Sequence, residues 1–240
     1  MRIVQKYGGS SLADPQCIRN AARRIATFAR QGHQLIVVVS AQGDTTDYLL
    51  EQLTPFSPTP REQDAFLSVG EQQSAALMAM ALQELGLQAV SLNAQQMGLR
   101  TDSRHTDALI THLDTPRIEE ELRRGNIVVA TGFQGVSPSG DITTLGRGGS
   151  DTTAVALAAL LDAESCMIYT DVDGVYDKDP RRHPDAKRFD TIDYDQMLTL
   201  AQQGAQVLHD RCIILAQQHH IPILVLSSFR PGPGTLVTEQ

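Results

Sequence analysis

The sequence predicts an α/β domain built on a parallel sheet, and three observations carry that reading. Residues 35–39 (LIVVV) are continuously apolar, as a parallel strand buried on both faces requires. Two strand-like runs, 3–7 and 35–39, empty into loops of glycine and polar side chains, Gly8-Gly9-Ser10-Ser11 and Ser40-Ala41-Gln42-Gly43. Ligands of open parallel sheets gather at that carboxyl edge. Strand-like runs also alternate with stretches of helical periodicity along the whole chain.

The bulk numbers fit. At 240 residues the chain is long enough for one large domain with a well-buried core, and it is expected to be a single domain over 1–240. Hydrophobic residues make up 41% and charged residues 20%, as in soluble globular proteins. A net charge of −8 argues against general nucleic-acid binding, although a nucleotide needs only local cations. No apolar stretch reaches membrane-spanning length and the opening residues, MRIVQKYGG, carry no secretory pattern, so no membrane partner and a cytoplasmic location are expected. Cys17, Cys166 and Cys212 are odd in number and widely spaced, and read as buried thiols rather than as disulfides or a zinc site. The seven histidines show no paired spacing and read as solvated or capping residues.

The elements follow in order. Residues 3–7 form a strand whose Lys6 stands beside two glycines, placed to reach a phosphate over exposed backbone. Asp14 and Pro15 open a helix in which Ile18, Ala21, Ala22, Ile25 and Phe28 repeat at helical spacing until Gly32. The strand 35–39 ends in a loop, 40–47, and the proline-rich stretch 54–60 reads as a connector. A long helix is expected over 61–85, with Gly70 and Glu71 in its middle. There a glycine costs about 1 kcal/mol against alanine, which suggests close approach by another group. Residues 90–92 read as a strand, 99–110 as a substrate loop or hairpin, 116–125 as a helix and 127–131 as a central strand. Beyond 154–161, too rich in alanine and leucine for a strand, come a strand at 167–169, helices at 194–203 and 205–220, a strand at 223–226 and a last strand after Pro233-Gly234.

Chemistry concentrates in residues 143–154, TTLGRGGSDTTA, which hold three glycines beside hydroxyls and Arg147. Ser150 is the expected N-cap, so the loop would empty onto a helix N-terminus suited to a phosphate or carboxylate. A glycine-rich surface turn before an ordinary helix accounts for the same residues. Two common phosphate fingerprints are also missing: no GxxxxGK[ST] occurs, and Asp151 stands where a third Rossmann glycine belongs. Residues 171–179 contain four aspartates, yet they lack the glycine spacing and terminal glutamate of an EF-hand, and an adenine and ribose clamp fits them equally well.

KYGGSS at Lys6, SAQGDTTD at Ser40, GFQG at Gly132, TTLGRGGSDTTA at Thr143 and YTDVDGVYDKDPR at Tyr169 together resemble the aspartate kinases of the amino acid kinase family, in order from first strand to last. The resemblance implies a three-layer αβα sandwich with a mainly parallel eight-stranded sheet. It also implies ATP with Mg2+ and transfer of the γ-phosphoryl to the side-chain carboxylate of L-aspartate. By similarity, Lys6, Asp151 and Arg147 are catalytic. Lys6, Gly8, Gly9, Ser10, Thr170, Asp171, Tyr176, Arg181 and Gln206 bind ATP, with the amides of Gly8 and Gly9 on its phosphates. Ser40, Thr45, Glu71, Arg147, Gly148 and Ser150 hold a small amino-acid substrate, and no metal site made by protein alone is expected.

The chain departs from the family pattern at Gln206, where a lysine is usual, and at Leu109, where an arginine is usual. It reaches Gln240 without the sequence of ACT regulatory domains, so inhibition at such domains is not expected and the oligomeric state stays open, a homodimer included. Two further readings remain beside the kinase: a kinase of the same fold for another small carboxylate, and a nucleotide-binding regulator with impaired catalysis.

Overall fold

The computed structural model describes residues 1–180, 182–205 and 207–239. Its main sheet contains β1 (Arg2–Tyr7), β2 (Gln34–Val39), β3 (Ala89–Leu92), β6 (Ile127–Thr131), β9 (Ser165–Thr170), β10 (Thr191–Asp193), β11 (Ile223–Ser227) and β12 (Thr235–Thr238). They lie in the order β10-β12-β11-β9-β1-β2-β6-β3, parallel throughout except where β12 runs antiparallel to β11. A second sheet, β5-β4-β7-β8, joins β4 (Leu99–Thr101), β5 (Ile110–Leu113), β7 (Gln134–Val136) and β8 (Ile142–Thr144).

Helices cover both faces of the main sheet. On one face α1 (Pro15–Arg30) and α4 (Val69–Glu84) bury Ile18, Ile25 and Met78 against Leu35, Val37 and Val129. On the other, α6 (Pro116–Arg123), α7 (Gly149–Leu160), α8 (Tyr194–Gln202) and α9 (Asp210–Gln218) cover Val4, Val38 and Ile168. This two-sided burial is why residues 35–39 of β2 and 127–130 of β6 are apolar without a break. The result is the three-layer αβα sandwich on a mainly parallel eight-stranded sheet.

Four local expectations need correction. The long helix over 61–85 is two helices, α3 (Pro60–Leu67) and α4, meeting at Ser68. There the carbonyl of Ser68 accepts from Gln134 Nε2 at 2.9 Å, and its hydroxyl donates to Ala65 O. Residues 40–47 are not all loop, because α2 (Thr45–Leu53) starts at Thr45. That helix buries only Leu49, too little apolar periodicity to register in the sequence. The helix expected over 205–220 begins at Asp210, since His209 is extended at φ −83° and ψ 143°. The N-cap of α7 is Gly148, in the left-handed region, and Ser150 sits buried inside the first turn. The short strands β7, β8 and β10 and the one-turn helix α5 (Ala94–Met97), closed by an Asn93/Gln96 capping box, were not legible either.

Among the described residues no helix is long and apolar enough to cross a membrane. All three cysteines are free, with Cys166 and Cys212 buried and Cys17 partly exposed, not buried as expected.

Candidate active site

Lys6 follows Val4 on the face of β1 that looks toward α7, and its Nζ lies 2.6 Å from Asp151 Oδ1 in the first turn of that helix. The two side chains are 11% and 13% exposed. The contact is an ion pair without the alignment of a hydrogen bond. Such a pair, largely withdrawn from water, holds a fixed cation at the end of the strand.

The glycine loop closes around it. Gly146 and Gly148 have φ of 74° and 70°, a backbone region that glycine adopts without strain. A Cβ at Gly148 would stand 2.4 Å from the ring and Cβ of His209, so the position admits no side chain. The amides of Ser150 and Asp151 have no acceptor among the described residues, as expected of a helix's first turn. Arg147 is exposed and makes no ion pair with any described residue, although Asp151 lies one helical turn away.

Facing the loop, Glu71 is 3% exposed. Its Oε1 accepts from Ala41 N at 3.1 Å, while Oε2 is buried with no hydrogen-bond partner among the described residues. Burial pushes this carboxyl up to about 7, only partly offset by backbone N–H donation, chiefly within its own turn and then from Ala41. The close approach that Gly70 suggested is real: a Cβ there would meet Ala41 Cβ at 2.8 Å. Gly9 admits the same loop, because a Cβ would lie 2.9 Å from Ala41 O.

Three hollows join along this edge of the sheet. One of about 330 Å³ is lined by Lys6, Gly9, Ser40, Glu71 and Ser150, with the loop 146–149 and Asp151. A larger one, about 750 Å³, lies between Asp171, Tyr176 and Lys178 on one wall and Leu200, Ala205 and Val207 on the other. The third, about 450 Å³, shares Arg147, Gly148 and Asp151 with the first and Gly204, Ala205 and Val207 with the larger. Asp151 therefore stands where the cleft opens into the linking hollow, with Lys6 beside it on the cleft side.

Most of the expected site residues meet in this trough, and some do not. Gly8 cannot offer its amide to a phosphate, because that N–H donates to Tyr169 O at 3.2 Å; the amide of Gly9 has no partner among the described residues. Ser10 is exposed in the 3-10 turn Gly9–Leu12 and lines none of the three hollows. Thr45 turns its methyl toward Gly70, and Thr46 lines the cleft in its place. Thr170 lies behind Asp171, to which its hydroxyl donates at 3.1 Å. Arg181 and Gln206 lie outside the described residues. Leu109 is 44% exposed and lines none of the hollows.

One histidine requires a correction: His105 hydrogen-bonds buried Asp64 at 2.8 Å and is neither solvated nor capping, while His209, at the N-cap of α9 as a capping histidine would be, also lines the linking hollow. Phe133 also lines the cleft, with a left-handed φ of 70° fixed by donation of its amide to Thr153 Oγ1. Only its place in the GFQG stretch hinted at it.

The sequence model of the amino acid kinase family matches residues 1–227. An aspartokinase of Mycolicibacterium smegmatis is 51% identical over 239 residues, covering 98% of this chain and 56% of the relative, so the chain spans little more than half of that protein. Among solved structures, aspartate kinase from Synechocystis superposes with a TM-score of 0.88 at 45% identity, over 100% of this chain and 40% of the other. E. coli aspartokinase III in complex with aspartate and ADP gives 0.86 at 30% identity, over 100% of this chain and 65% of that one. Matched by that family model over residues 1–227 and by a relative 51% identical over 98% of its length, this chain belongs to the amino acid kinase family.

Proposed function

We propose that this chain transfers the γ-phosphoryl group of ATP to the side-chain carboxylate of L-aspartate, giving 4-phospho-L-aspartate. The observation that carries the reading is the Lys6–Asp151 pair in a cleft walled by Arg147 and Glu71, which a linking hollow, shared through Asp151, connects to a nucleotide-sized one. The names of the similar proteins, and the aspartate and ADP in one of them, support the choice of substrates.

The acceptor needs no general base, since a carboxylate with a pKa of about 4 is already ionised at neutral pH. The difficulty is to bring that anion against a polyanion, so catalysis rests on alignment and on cations around the transferring group. Lys6 neutralises phosphate charge, and Asp151 holds its ammonium in place. Arg147, which has no ion-pair partner among the described residues, clamps a substrate carboxylate through two parallel N–H bonds. The α-ammonium of the amino acid takes the unpartnered Oε2 of Glu71, and its charge draws that carboxyl back to the ionised form. Tyr176, whose hydroxyl donates to Asp173 at 3.0 Å, walls the nucleotide side with Asp171.

Magnesium binds through nucleotide phosphates and one or two carboxylates, and Asp151, which lines both smaller hollows, fits that part. When bound it supplies charge neutralisation of the phosphates.

The test is ATP-dependent acyl phosphate formation trapped with hydroxylamine, run with aspartate, glutamate and N-acetylglutamate. Hydroxamate with aspartate alone is the expected result. Hydroxamate with another acid would transfer the reading to that substrate, and none with any acid, ATP still binding, would overturn kinase activity.

A further inference from the structure

The trough leaves unexplained a buried charge that touches none of its hollows. Asp64, on α3, is fully buried at 0% exposure. Its carboxylate collects donors from two distant segments. Oδ1 accepts from Thr144 Oγ1 at 2.6 Å, Oδ2 accepts from His105 Nδ1 at 2.8 Å, and the amide of Thr106 reaches both oxygens at 3.0 and 3.1 Å. A carboxylate withdrawn from water to this degree is tolerated only when its lone pairs are filled, and a neutral side chain would fill the volume at less expense. Its position indicates what the charge holds together.

Thr144 is the last residue of β8, two positions before Gly146 and three before Arg147. Its carbonyl accepts from Ala108 N at 2.9 Å, so Thr144 is tied to the loop 102–109 through its backbone and to Asp64 through its hydroxyl. Thr106 is held at φ 68°, a conformation that a β-branched residue adopts only under constraint. In that conformation its carbonyl and Asp107 Oδ1 close over Gly146, where a Cβ would meet them at 3.1 and 2.9 Å. From the far side Arg211 of α9 donates to Leu145 O at 2.9 Å and to Asp107 Oδ1. Residues 144–146 are thus gripped on two sides, and Arg147, which makes no ion pair with any described residue, follows at the wall of the cleft.

We infer that Asp64 is a positioning residue for Arg147: by fixing Thr144 and the Thr106 turn, it holds the glycine loop so that the guanidinium meets the carboxylate of the acceptor. The inference rests on the phosphotransfer reading for what Arg147 binds, and on the geometry alone for the ordering of the loop.

The test is Asp64→Asn in the full chain, which keeps the shape and removes the charge, with Thr144→Val as a second variant that removes one of the bonds and leaves the carboxylate in place. Steady-state hydroxamate assays give KM for aspartate and for ATP separately. Amide hydrogen exchange is followed over residues 143–150 and, as an internal reference, over β1 and α1. The expected result is a KM for aspartate raised tenfold or more, with KM for ATP within twofold. Exchange should quicken at 143–150 and stay unchanged at the reference, with the same pattern, smaller, in Thr144→Val. A residue that only supports the core would lower stability and move the two KM values together or not at all, and that outcome overturns the inference. If the native chain makes no acyl phosphate, the proposed function falls by itself. Unchanged exchange at 143–150 in Asp64→Asn would then still overturn the positioning role, and faster exchange there would still support it.

Discussion

Replacing Glu71 with glutamine should make the ligand-free protein more stable at alkaline pH while weakening its hold on substrate. Glu71 is 3% exposed, with Oε1 bonded to Ala41 N and Oε2 left without a partner. Burial pushes the carboxyl from the ordinary 4.5 up to about 7. Below pH 4.5 the group is neutral in both folded and unfolded chains and no penalty exists. As pH rises from there toward 7, the unfolded chain releases the proton and the folded chain keeps it, so stability falls. Above about 7 both states are ionised and the loss is complete. At roughly 1.4 kcal/mol per pKa unit that loss is about 3 kcal/mol. A glutamine keeps the acceptor for Ala41 and carries no proton to lose. The stability of Glu71→Gln relative to the native chain should therefore rise by about 2.5 kcal/mol between pH 5 and pH 8, since part of the loss has already occurred at pH 5, or roughly 5–10 °C in Tm for a domain of this size. Urea denaturation followed by circular dichroism at pH 5, 6, 7 and 8 measures it. A stability difference that stays flat across that range would refute the reasoning, whatever its sign. The same substitution removes the counter-charge proposed for the substrate ammonium, so aspartate affinity should fall while ATP affinity holds, an exchange of stability for function common at binding sites.

Two further outcomes follow from the same geometry. Lys6→Met should leave Asp151 with no cation beside it and lower kcat by about 10²–10³ in the hydroxamate assay, with far-ultraviolet circular dichroism unchanged; turnover within a few-fold of native would remove Lys6 from the mechanism. Gly148→Ala forces a left-handed φ on a residue with a Cβ and drives that atom to 2.4 Å from His209, which should reduce stability by about 2 kcal/mol or more and Tm by roughly 4–8 °C. A Tm unchanged by scanning calorimetry would mean that the glycine loop has another conformation in solution.

The edge at which ligands collect was legible in the sequence, and so was a sheet buried on both faces. An uninterrupted apolar run such as 35–39 suits a strand covered on both faces, and helical repeats such as Ile18, Ala21, Ala22 and Ile25 supply the cover. Local chemistry of that kind is written in neighbouring residues. It also marked Lys6 and Arg147, because glycine, hydroxyl and charge cluster there within a few positions, whereas Asp151 entered only through the resemblance to the aspartate kinases. Tertiary structure decided what depends on partners far along the chain. The amide of Gly8 turns to Tyr169, Thr46 rather than Thr45 faces the cleft, and Ser68 breaks a helix because Gln134 claims its carbonyl. Neither the proton affinity of Glu71 nor the buried grip of Asp64 on Thr106 and Thr144 has a signature in composition or spacing. The energy of a buried charge is set by which groups surround it, and those groups come together only when the chain has folded.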